Sequence, residues 1–424
     1  MVKRSWKSLF AGVAVLGGTV MFNSAMAGDG CCAPCGGNDC QQCEQIFADA
    51  GQKLTDQLAS MSCCNDASCC APESVCEETA ADACGEGCGD GCGELFGESG
   101  SGINIGGFVQ LGYHNNIEPL SVTRNQGLAF NDHPDRLNMH AAWLYAEKIA
   151  DGSNGPDWGF RADFMYGVDA AQTQAFGNNP GNWDFQNGWD RGAGYGFALP
   201  QLYAEMATGD LSVKAGHFYT PVGYEVVPAT GNFFYSHAFT MFNSEPFTHT
   251  GLLSTYTVSE EVKVYGGWSA GWDTGFDRRN GGSNFIGGFS SSLTEDITLT
   301  YINTIGNFGW RGEGYSHSIV VDTALTDKLQ YVLQSDVLRA DEFDTVGINQ
   351  YLFYTLTDNL KAGSRVEWWK ADGTSAYAAT WGVNVTPMES LVVRPEVRYN
   401  WGADPNTGLD LDTTSFGIDA IYSF

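Results

Sequence analysis

Two sets of residues in the sequence could carry chemistry: seven histidines and thirteen cysteines. The histidines belong to no recognisable catalytic motif, since no Ser, His and acidic residue are arranged as in a nucleophilic triad. The chain also lacks GxSxG, HExxH and phosphate-loop motifs. His237, Glu245 and His249 are close in sequence and could bind a metal, but two histidines twelve residues apart are a weak indication of a site. We therefore expect no enzymatic activity, no cofactor and no metal.

All cysteines lie between residues 31 and 92, in an acidic segment that spans residues 28–100. Cys40 and Cys43 have the spacing of metal ligands, but zinc sites usually combine two such pairs or add histidines, and this segment has no histidine. Disulfides are therefore the favoured interpretation, and a metal site is the alternative. Because thirteen is an odd number, one thiol is left for an intermolecular disulfide. The disulfide candidates are Cys31, Cys32, Cys35, Cys40, Cys43, Cys63, Cys64, Cys69, Cys70, Cys76, Cys84, Cys88 and Cys92.

The first 27 residues have the pattern of a cleaved signal peptide. Lys3, Arg4 and Lys7 precede an apolar run over residues 9–22, and an Ala-Met-Ala cleavage motif follows at residues 25–27. The run is too short and too rich in glycine for a membrane-spanning helix. We expect the exported chain to begin near residue 28, which places the cysteines in an oxidising compartment. Apolar residues at helical spacing over residues 46–61 predict one short helix there.

Composition favours β-structure and argues against nucleic-acid binding. The chain has 50 acidic and 21 basic residues, a net charge of −29, which is unsuited to neutralising phosphates. Only 17% of residues are charged, while 54 are glycine and 13% are aromatic. The first 27 residues carry +3, residues 28–102 carry −13 and residues 103–424 carry −19, which together give −29. The chain therefore divides into three zones of different composition.

The third zone, residues 101–424, alternates apolar and polar side chains in segments of about ten residues. In the last segment Phe416, Ile418, Ala420, Tyr422 and Phe424 share one face. Similar turn sequences recur at Ser259, Thr294, Thr326, Thr357 and Thr386, at intervals of 35, 32, 31 and 29 residues that each fit one hairpin. This pattern predicts sixteen antiparallel strands (range 14–18), which begin near residues 103, 137, 158, 195, 211, 251, 262, 283, 297, 315, 328, 345, 360, 375, 390 and 412.

Three features favour an all-β, transmembrane, up-and-down barrel over a water-soluble one. Charges of both signs occupy mid-strand positions, which suits a barrel wide enough to hold water. Aromatic residues lie near the predicted strand ends, as in membrane-interface girdles, although they could also pack a soluble β-core: Trp143, Trp158, Trp268, Trp272, Trp368, Trp401 and Tyr422. The chain ends on an aromatic strand residue, Phe424, the type of signal read by outer-membrane barrel-assembly machinery. An even strand number places both barrel ends, and the cysteine-rich extension, on the periplasmic side.

Residues 158–171, 199–225, 232–251 and 264–277 resemble the OmpL-like β-barrel porin family, and the resemblance covers most of residues 103–424. It implies a bacterial outer-membrane protein in contact with the lipid bilayer, through which small hydrophilic solutes or ions diffuse passively. It identifies neither a solute nor a catalytic residue, and it does not extend to the cysteine-rich zone. The alternative function is a barrel that mainly anchors this extension to the envelope. Porins of sixteen strands are usually trimers, so a homo-oligomer is expected.

The connection over residues 221–250 is one of the longest and is rich in aromatic residues. We expect it to fold into the lumen and narrow it, with packing over the barrel mouth as the alternative. Its constriction candidates are Glu225, Phe233, Phe234, Tyr235, His237, Glu245 and His249. The candidate pore-lining charges are Arg161, Asp163, Glu205, Lys361, Arg365, Glu367, Arg394, Glu396 and Arg398. They could set a transverse field across the lumen or form salt bridges between neighbouring strands.

Overall fold

The computed structural model describes residues 102–424 except 118–124, 126–127, 191–193, 278–279, 342 and 404–410. The signal peptide, the thirteen cysteines and the short helix expected over residues 46–61 lie outside the described residues and stay predictions. Within the part of the chain that the structure describes, no helix has the length and apolar character needed to cross a membrane.

Sixteen strands are found in the described residues, and each begins within three residues of its predicted start. They are β1 (Asn104–His114), β2 (Asn138–Lys148), β3 (Asp157–Gly167), β4 (Gly196–Thr208), β5 (Leu211–Tyr219), β6 (Thr248–Thr257), β7 (Val262–Trp272), β8 (Ser283–Ser292), β9 (Ile297–Asn307), β10 (Glu313–Ala324), β11 (Leu329–Ala340), β12 (Phe343–Thr357), β13 (Leu360–Ala371), β14 (Thr374–Met388), β15 (Leu391–Gly402) and β16 (Thr413–Ser423).

The strands form one closed antiparallel barrel in which each strand pairs with its neighbours in sequence. The barrel closes between β1 and β16, where Gln110 lies opposite Ile421. Two short helices, α1 (Ala170–Thr173) and α2 (Phe239–Asn243), and two 3-10 turns, Gly152–Asn154 and Ala229–Gly231, lie in the connections. The fold class predicted from alternation and turn spacing is confirmed.

The connections divide between the two rims of the barrel. One rim carries short turns, such as residues 209–210, 258–261 and 358–359, together with the start of β1 and the end of β16. The other rim carries the three longest connections, over residues 115–137, 168–195 and 220–247. Long connections at one rim can cover or enter the lumen, and they position the candidate site.

The two faces of the wall differ as expected for a membrane barrel. The outward face is apolar and accessible, as at Trp381 and Phe416, which are 54% and 46% exposed. The inward face is polar and mostly buried, as at Arg365 and Asn349. A water-soluble barrel would show the reverse arrangement. The outer surface of β9–β12 is an exception, since it carries polar residues in mid-strand: Asn303, His317, Ser335 and Gln350.

Two tryptophans that we expected near the membrane interface face the interior instead. Trp143 lies in the middle of β2, where it stacks on Phe108 with ring centroids 5.3 Å apart, and its indole N–H donates to Asp163. Trp272 ends β7 and stacks on Phe308 at 4.5 Å. Both are almost fully buried. The girdle prediction is therefore wrong for these two residues, because each lies on the inward side of its strand.

Candidate functional site

The candidate site is residues 220–247, which join β5 to β6 and which we call the lumen segment. It contains the 3-10 turn Ala229–Gly231 and helix α2. It leaves the rim between β5 and β6, yet it contacts the inner faces of β1, β2, β11, β12, β13, β15 and β16. The segment therefore crosses the interior of the barrel.

Arg365, on the inner face of β13, holds the middle of the lumen segment. Its Nη1 donates to Glu225 Oε1 and to the carbonyl oxygen of Ser236, both at 2.7 Å. Its Nε donates to Glu367 Oε1, also at 2.7 Å. The Arg365 side chain is fully buried. A guanidinium fits this position because it presents several donors in a fixed plane, which one carboxylate and one carbonyl can share.

Two further arginines, both on β15, bind backbone carbonyls of the segment. Arg394 Nη1 donates to the carbonyl oxygens of Ala229 and Asn232 at 2.9 Å. The remaining donors of Arg394 hold Asp419 of β16 at 2.9 and 2.5 Å. Arg398 Nη1 donates to the carbonyl oxygen of His237 at 2.7 Å. The strand arginines thus satisfy carbonyl groups of an irregular segment that would otherwise be buried without partners.

Carboxylates of the wall and of the segment accept the segment's backbone N–H groups in the same way. Glu396 accepts from the N–H groups of Tyr235 and Ser236 at 2.9 and 3.1 Å. Glu367 accepts from Phe239 N at 2.8 Å. Glu225, itself in the segment, accepts from Ala238 N at 2.8 Å. Buried ions are tolerated only when they are paired and hydrogen-bonded, and here the backbone of the segment supplies many of those bonds.

Tyr235 attaches the segment to the opposite side of the barrel. Its hydroxyl lies 2.5 Å from His140 Nε2 on β2 and 3.1 Å from His114 Nδ1 on β1. His140 Nδ1 lies 2.6 Å from Asp169 Oδ1. This Asp–His–Tyr chain has the order of a proton relay, but Tyr235 is only 3% exposed. We interpret the chain as an anchor of the segment.

Glycines on the inner face make room for side chains of the segment. A Cβ atom at Gly112 would lie 2.6 Å from the Tyr235 hydroxyl, and one at Gly417 would lie 2.7 Å from the Tyr235 ring. A Cβ atom at Gly363 would lie 2.5 Å from the Phe233 ring. Sequence reasoning missed these positions. The signal that could have revealed them is a glycine at a place where alternation demands an inward side chain.

The other expected constriction residues have separate partners. His237 Nδ1 lies 3.2 Å from Glu225 Oε2. Glu245 Oε1 accepts from Gln334 Nε2 of β11 at 2.6 Å. His249 belongs to β6 and contacts Thr220 and Ser269. Phe233 and Phe234 pack on Phe353 of β12. His237, Glu245 and His249 are thus not brought together, and no cluster of three metal-ligating side chains occurs among the described residues.

The nine expected wall charges face the interior, but most of them are covered. Seven are buried: Arg161, Asp163, Arg365, Glu367, Arg394, Glu396 and Arg398. Arg161 pairs with Glu147 at 2.7 Å and with Asp163 at 2.6 Å, so this cluster bridges β2 and β3. Glu205 and Lys361 are half-exposed.

The exposure of the inward-facing residues varies along the barrel axis. At mid-wall the inner side of β8–β11 is apolar and buried at Ile286, Ile302, Val320 and Val332. Toward the rim with short turns, the inward residues are half-exposed and polar, and five of these six are charged, with both signs present: Glu205, Lys214, Lys263, Asp322, Gln330 and Lys361. We call these six residues the vestibule. The interior is therefore most closely packed at the height of the lumen segment.

The connection over residues 168–195 covers the other side of the barrel mouth. Its Asp184 accepts from the N–H groups of Ala175 and Leu199 at 2.9 and 2.8 Å. Burial raises the pKa of the Asp184 carboxyl to about 6, and these N–H groups lower it in part. Phe176 forms an isolated β-bridge with Thr274 of the β7–β8 connection. The two connections are thus joined above the lumen.

Comparison with known proteins gives one family match and several similar structures. Residues 102–424 match the model of the family "Putative beta-barrel porin-2, OmpL-like". The outer membrane channel DcaP of Acinetobacter baumannii is similar with a TM-score of 0.53 at 11% identity, over 77% of this chain and 99% of that chain. A triple mutant of the Rhodopseudomonas blastica porin gives a TM-score of 0.52 at 14% identity, over 76% of this chain and 100% of that chain. At these identities the likeness shows the fold alone. The search of curated proteins finds no match.

Proposed function

Since the chain belongs to the OmpL-like β-barrel porin family and is an outer-membrane porin channel, we propose that it passes small hydrophilic solutes or ions by passive diffusion, without an enzymatic step. The observation that carries this proposal is the lumen segment, held across a closed barrel by Arg365, Arg394 and Arg398. A fixed segment narrows the lumen and sets the size of solute that can pass. We expect a narrow pore with a small unitary conductance.

We propose that ion selectivity is weak. Most buried charges of the wall are neutralised in pairs, such as Arg394 with Asp419 and Arg161 with Glu147. Paired charges present little net field to a passing ion. The half-exposed charges of the vestibule are mixed in sign, with Lys214, Lys263 and Lys361 against Glu205 and Asp322. A reversal potential close to zero in a salt gradient would agree with this, and a strongly ion-selective pore would contradict it.

The test of the function is conductance in a planar bilayer. The full-length protein should give small stepwise openings. A variant in which a short Gly-Ser linker replaces residues 224–244 should give openings several times larger, because the lumen segment no longer occupies the interior. Heat-modifiable gel migration serves as the control that both proteins form barrels. A correctly folded wild-type barrel that stays electrically silent would contradict the proposal.

We also propose that residues 1–27 are a cleaved signal peptide and that the cysteine-rich extension, residues 28–100, lies in the periplasm. The support is the charge and cleavage pattern of the first zone and the position of the β1 start at the short-turn rim. Thiol counting with and without reductant would test for disulfides within and between chains. We further propose that the barrel-assembly machinery binds the strand that ends in Phe424.

For the expected homo-oligomer, trimeric or otherwise, we propose the outer wall of β9–β12 as the contact. Polar side chains are costly on a surface that faces lipid. On this surface Asn303 and His317 are direct register partners. His317 Nδ1 lies 3.0 Å from the Tyr315 hydroxyl, and Tyr331 donates to Gln350 at 2.9 Å. A second copy would cover this polar surface. Replacing His317 and Gln350 by leucine should lower the native mass measured by light scattering in detergent, and an unchanged mass would contradict the proposal.

A further inference from the structure

Most buried carboxylates inside the barrel have an obvious partner for their charge. Glu225, Glu367 and Asp419 pair with arginines. Asp169 pairs with His140, and Glu396 accepts two backbone N–H groups. This agrees with the general rule that a carboxylate is buried only when its charge is compensated.

Asp336 departs from this pattern. It lies on the inner face of β11 and is 2% exposed, and the polar side chains beside its carboxylate, those of Ser318 and Gln334, carry no charge. Its charged neighbour is a second buried carboxylate, Glu245 of the lumen segment. Glu245 accepts a hydrogen bond from the neutral amide of Gln334, at 2.6 Å. Two adjacent carboxylates therefore lie in the interior without a basic side chain on either.

Two further polar side chains lie on the strands next to this pair. Ser318 of β10 lies directly opposite Asp336 in the strand register, and Asn349 of β12 lies opposite Gln334. The Asn349 Oδ1 atom is buried and has no hydrogen-bond partner among the described residues, and the Ser318 hydroxyl lies beside the Asp336 carboxylate. The amide group of Asn349 is oriented by Thr240, since its Nδ2 donates to the Thr240 hydroxyl. The Asn349 carbonyl oxygen is therefore left available.

The remaining side of the cluster is formed by backbone that only glycine permits. The carboxylate of Glu245 occupies the space that a Cβ atom at Gly223 would take, and Gly223 has a φ of +91°. Both residues belong to the lumen segment, whereas Asp336 and Ser318 belong to the wall. The cluster thus lies where the segment meets β10, β11 and β12.

We propose that Asp336 and Glu245 bind a divalent metal cation, with Ser318 and Asn349 as additional oxygen donors. Two carboxylates balance a charge of +2, and the donors contain neither sulfur nor imidazole nitrogen. Hard cations prefer such oxygen ligands. Ca²⁺ accepts more of them and a less regular geometry than Mg²⁺, so we expect Ca²⁺ to be preferred. The bound ion ties the C-terminal part of the lumen segment to β11.

Calcium binding to the purified full-length protein tests this site. After treatment with EGTA and dialysis, the wild type should bind Ca²⁺ in titration calorimetry, and Ca²⁺ should raise its unfolding temperature in detergent. Asp336→Asn and Glu245→Gln should each weaken the binding at the barrel at least tenfold. Ser318→Ala keeps the charge of the site and should weaken it several-fold. Asp322→Asn is the matched control, because Asp322 is a lumen carboxylate on β10 that already accepts two hydrogen bonds from Gln330.

Other acidic residues of the chain can bind Ca²⁺ weakly, so the comparison with Asp322→Asn decides the result. If all variants and the wild type bind equally, the ion is held elsewhere and the proposal is wrong. If the wild type binds no Ca²⁺, and Asp336→Asn unfolds at a higher temperature, the two carboxylates share a proton and the proposal is also wrong. Binding is measured without conductance, so a failure here is distinct from a failure of the porin function.

Discussion

At the scale of single residues, Arg365 shows how a charge can be stable inside the barrel. It contacts the segment through Glu225 and Ser236 and the wall through Glu367, so one guanidinium joins two parts of the chain. Removing one member of a buried ionic group leaves the others without compensation, which typically costs about 3–5 kcal/mol. The same group therefore contributes to stability and holds the lumen segment against β13.

We predict that Arg365→Gln lowers the unfolding temperature by several degrees and gives larger, noisier single-channel currents. The reason is that Glu225 and Glu367 lose their shared partner and the segment is released from β13. The measurements are thermal unfolding in detergent and bilayer recording. Arg339→Gln is the control, since Arg339 pairs with Asp344 on the exposed surface, where ion pairs contribute about 0–1 kcal/mol. Equal effects of the two substitutions would contradict the anchoring role.

The buried carboxyl group of Asp273 should make the stability of the folded protein depend on pH. It follows β7, and its Oδ1 accepts from the N–H groups of Phe247 and Thr248 at 2.7 and 3.1 Å. Burial raises the pKa of its carboxyl from 3.8 to about 7, and these N–H groups lower it in part. The folded state thus holds the proton more tightly than the unfolded state does. This group therefore favours folding less and less as the pH rises from 3.8 to about 7.

We predict that Asp273→Asn removes this slope and is more stable than the wild type above pH 7. Asparagine keeps an oxygen for the two N–H groups and tolerates the left-handed backbone of this position, where φ is 50°. The measurement is the unfolding temperature of both proteins between pH 4 and about 8. Parallel pH profiles for the two proteins would show that Asp273 is not the titrating group.

The sequence predicted that strand charges such as Arg365 and Arg394 face inward, because alternation assigns each residue to one face. It could not predict their partners. Glu225 and Ser236 are far from Arg365 in sequence, and their contacts depend on the path of the lumen segment. That path depends on long-range packing, which neither periodicity nor turn signals report.

At the scale of elements, the lumen segment is positioned by ion pairs and also by glycines of the wall, which leave space for its side chains. Gly112 and Gly417 accommodate Tyr235, and Gly363 accommodates Phe233. Strand starts could be predicted closely because each strand has its own alternation and each turn its own residues. The path of the lumen segment could not be predicted, because it depends on contacts with strands that are distant in sequence.

We predict that Gly363→Val displaces Phe233 and changes the conductance, because the new methyl groups would occupy the space of the Phe233 ring. Gly266→Val is the matched control, since Gly266 lies on β7 and a Cβ atom there meets nothing within 4 Å. Both variants place a β-branched residue in a strand, so strand propensity changes equally. Single-channel recording should separate the first from the second, and the same conductance in both would contradict the role of Gly363.

At the scale of the whole molecule, residues 102–424 form one closed barrel. Its sixteen strands pair without a break, and its apolar face turns outward. The wall therefore has every hydrogen-bonded neighbour that it needs within its own sequence.

We predict that deleting residues 28–100 leaves the conductance and the heat-modifiable migration of the barrel unchanged. The signal peptide is retained in this variant so that export is unaffected. A loss of conductance with a folded barrel would show that the extension contributes to the pore. A loss of the barrel itself would show that the extension assists assembly.

The pairing of β1 with β16 has a consequence for biogenesis. Gly107 and Phe424 exchange backbone hydrogen bonds at 3.0 Å, so Phe424 takes part in closing the barrel. Until that residue has been delivered, both edge strands keep unpaired N–H and C=O groups, which invite pairing with other chains. Every earlier stage is thus an open sheet at risk of aggregation. The time between translocation of β1 and arrival of β16 is therefore the period in which the nascent protein most needs a chaperone.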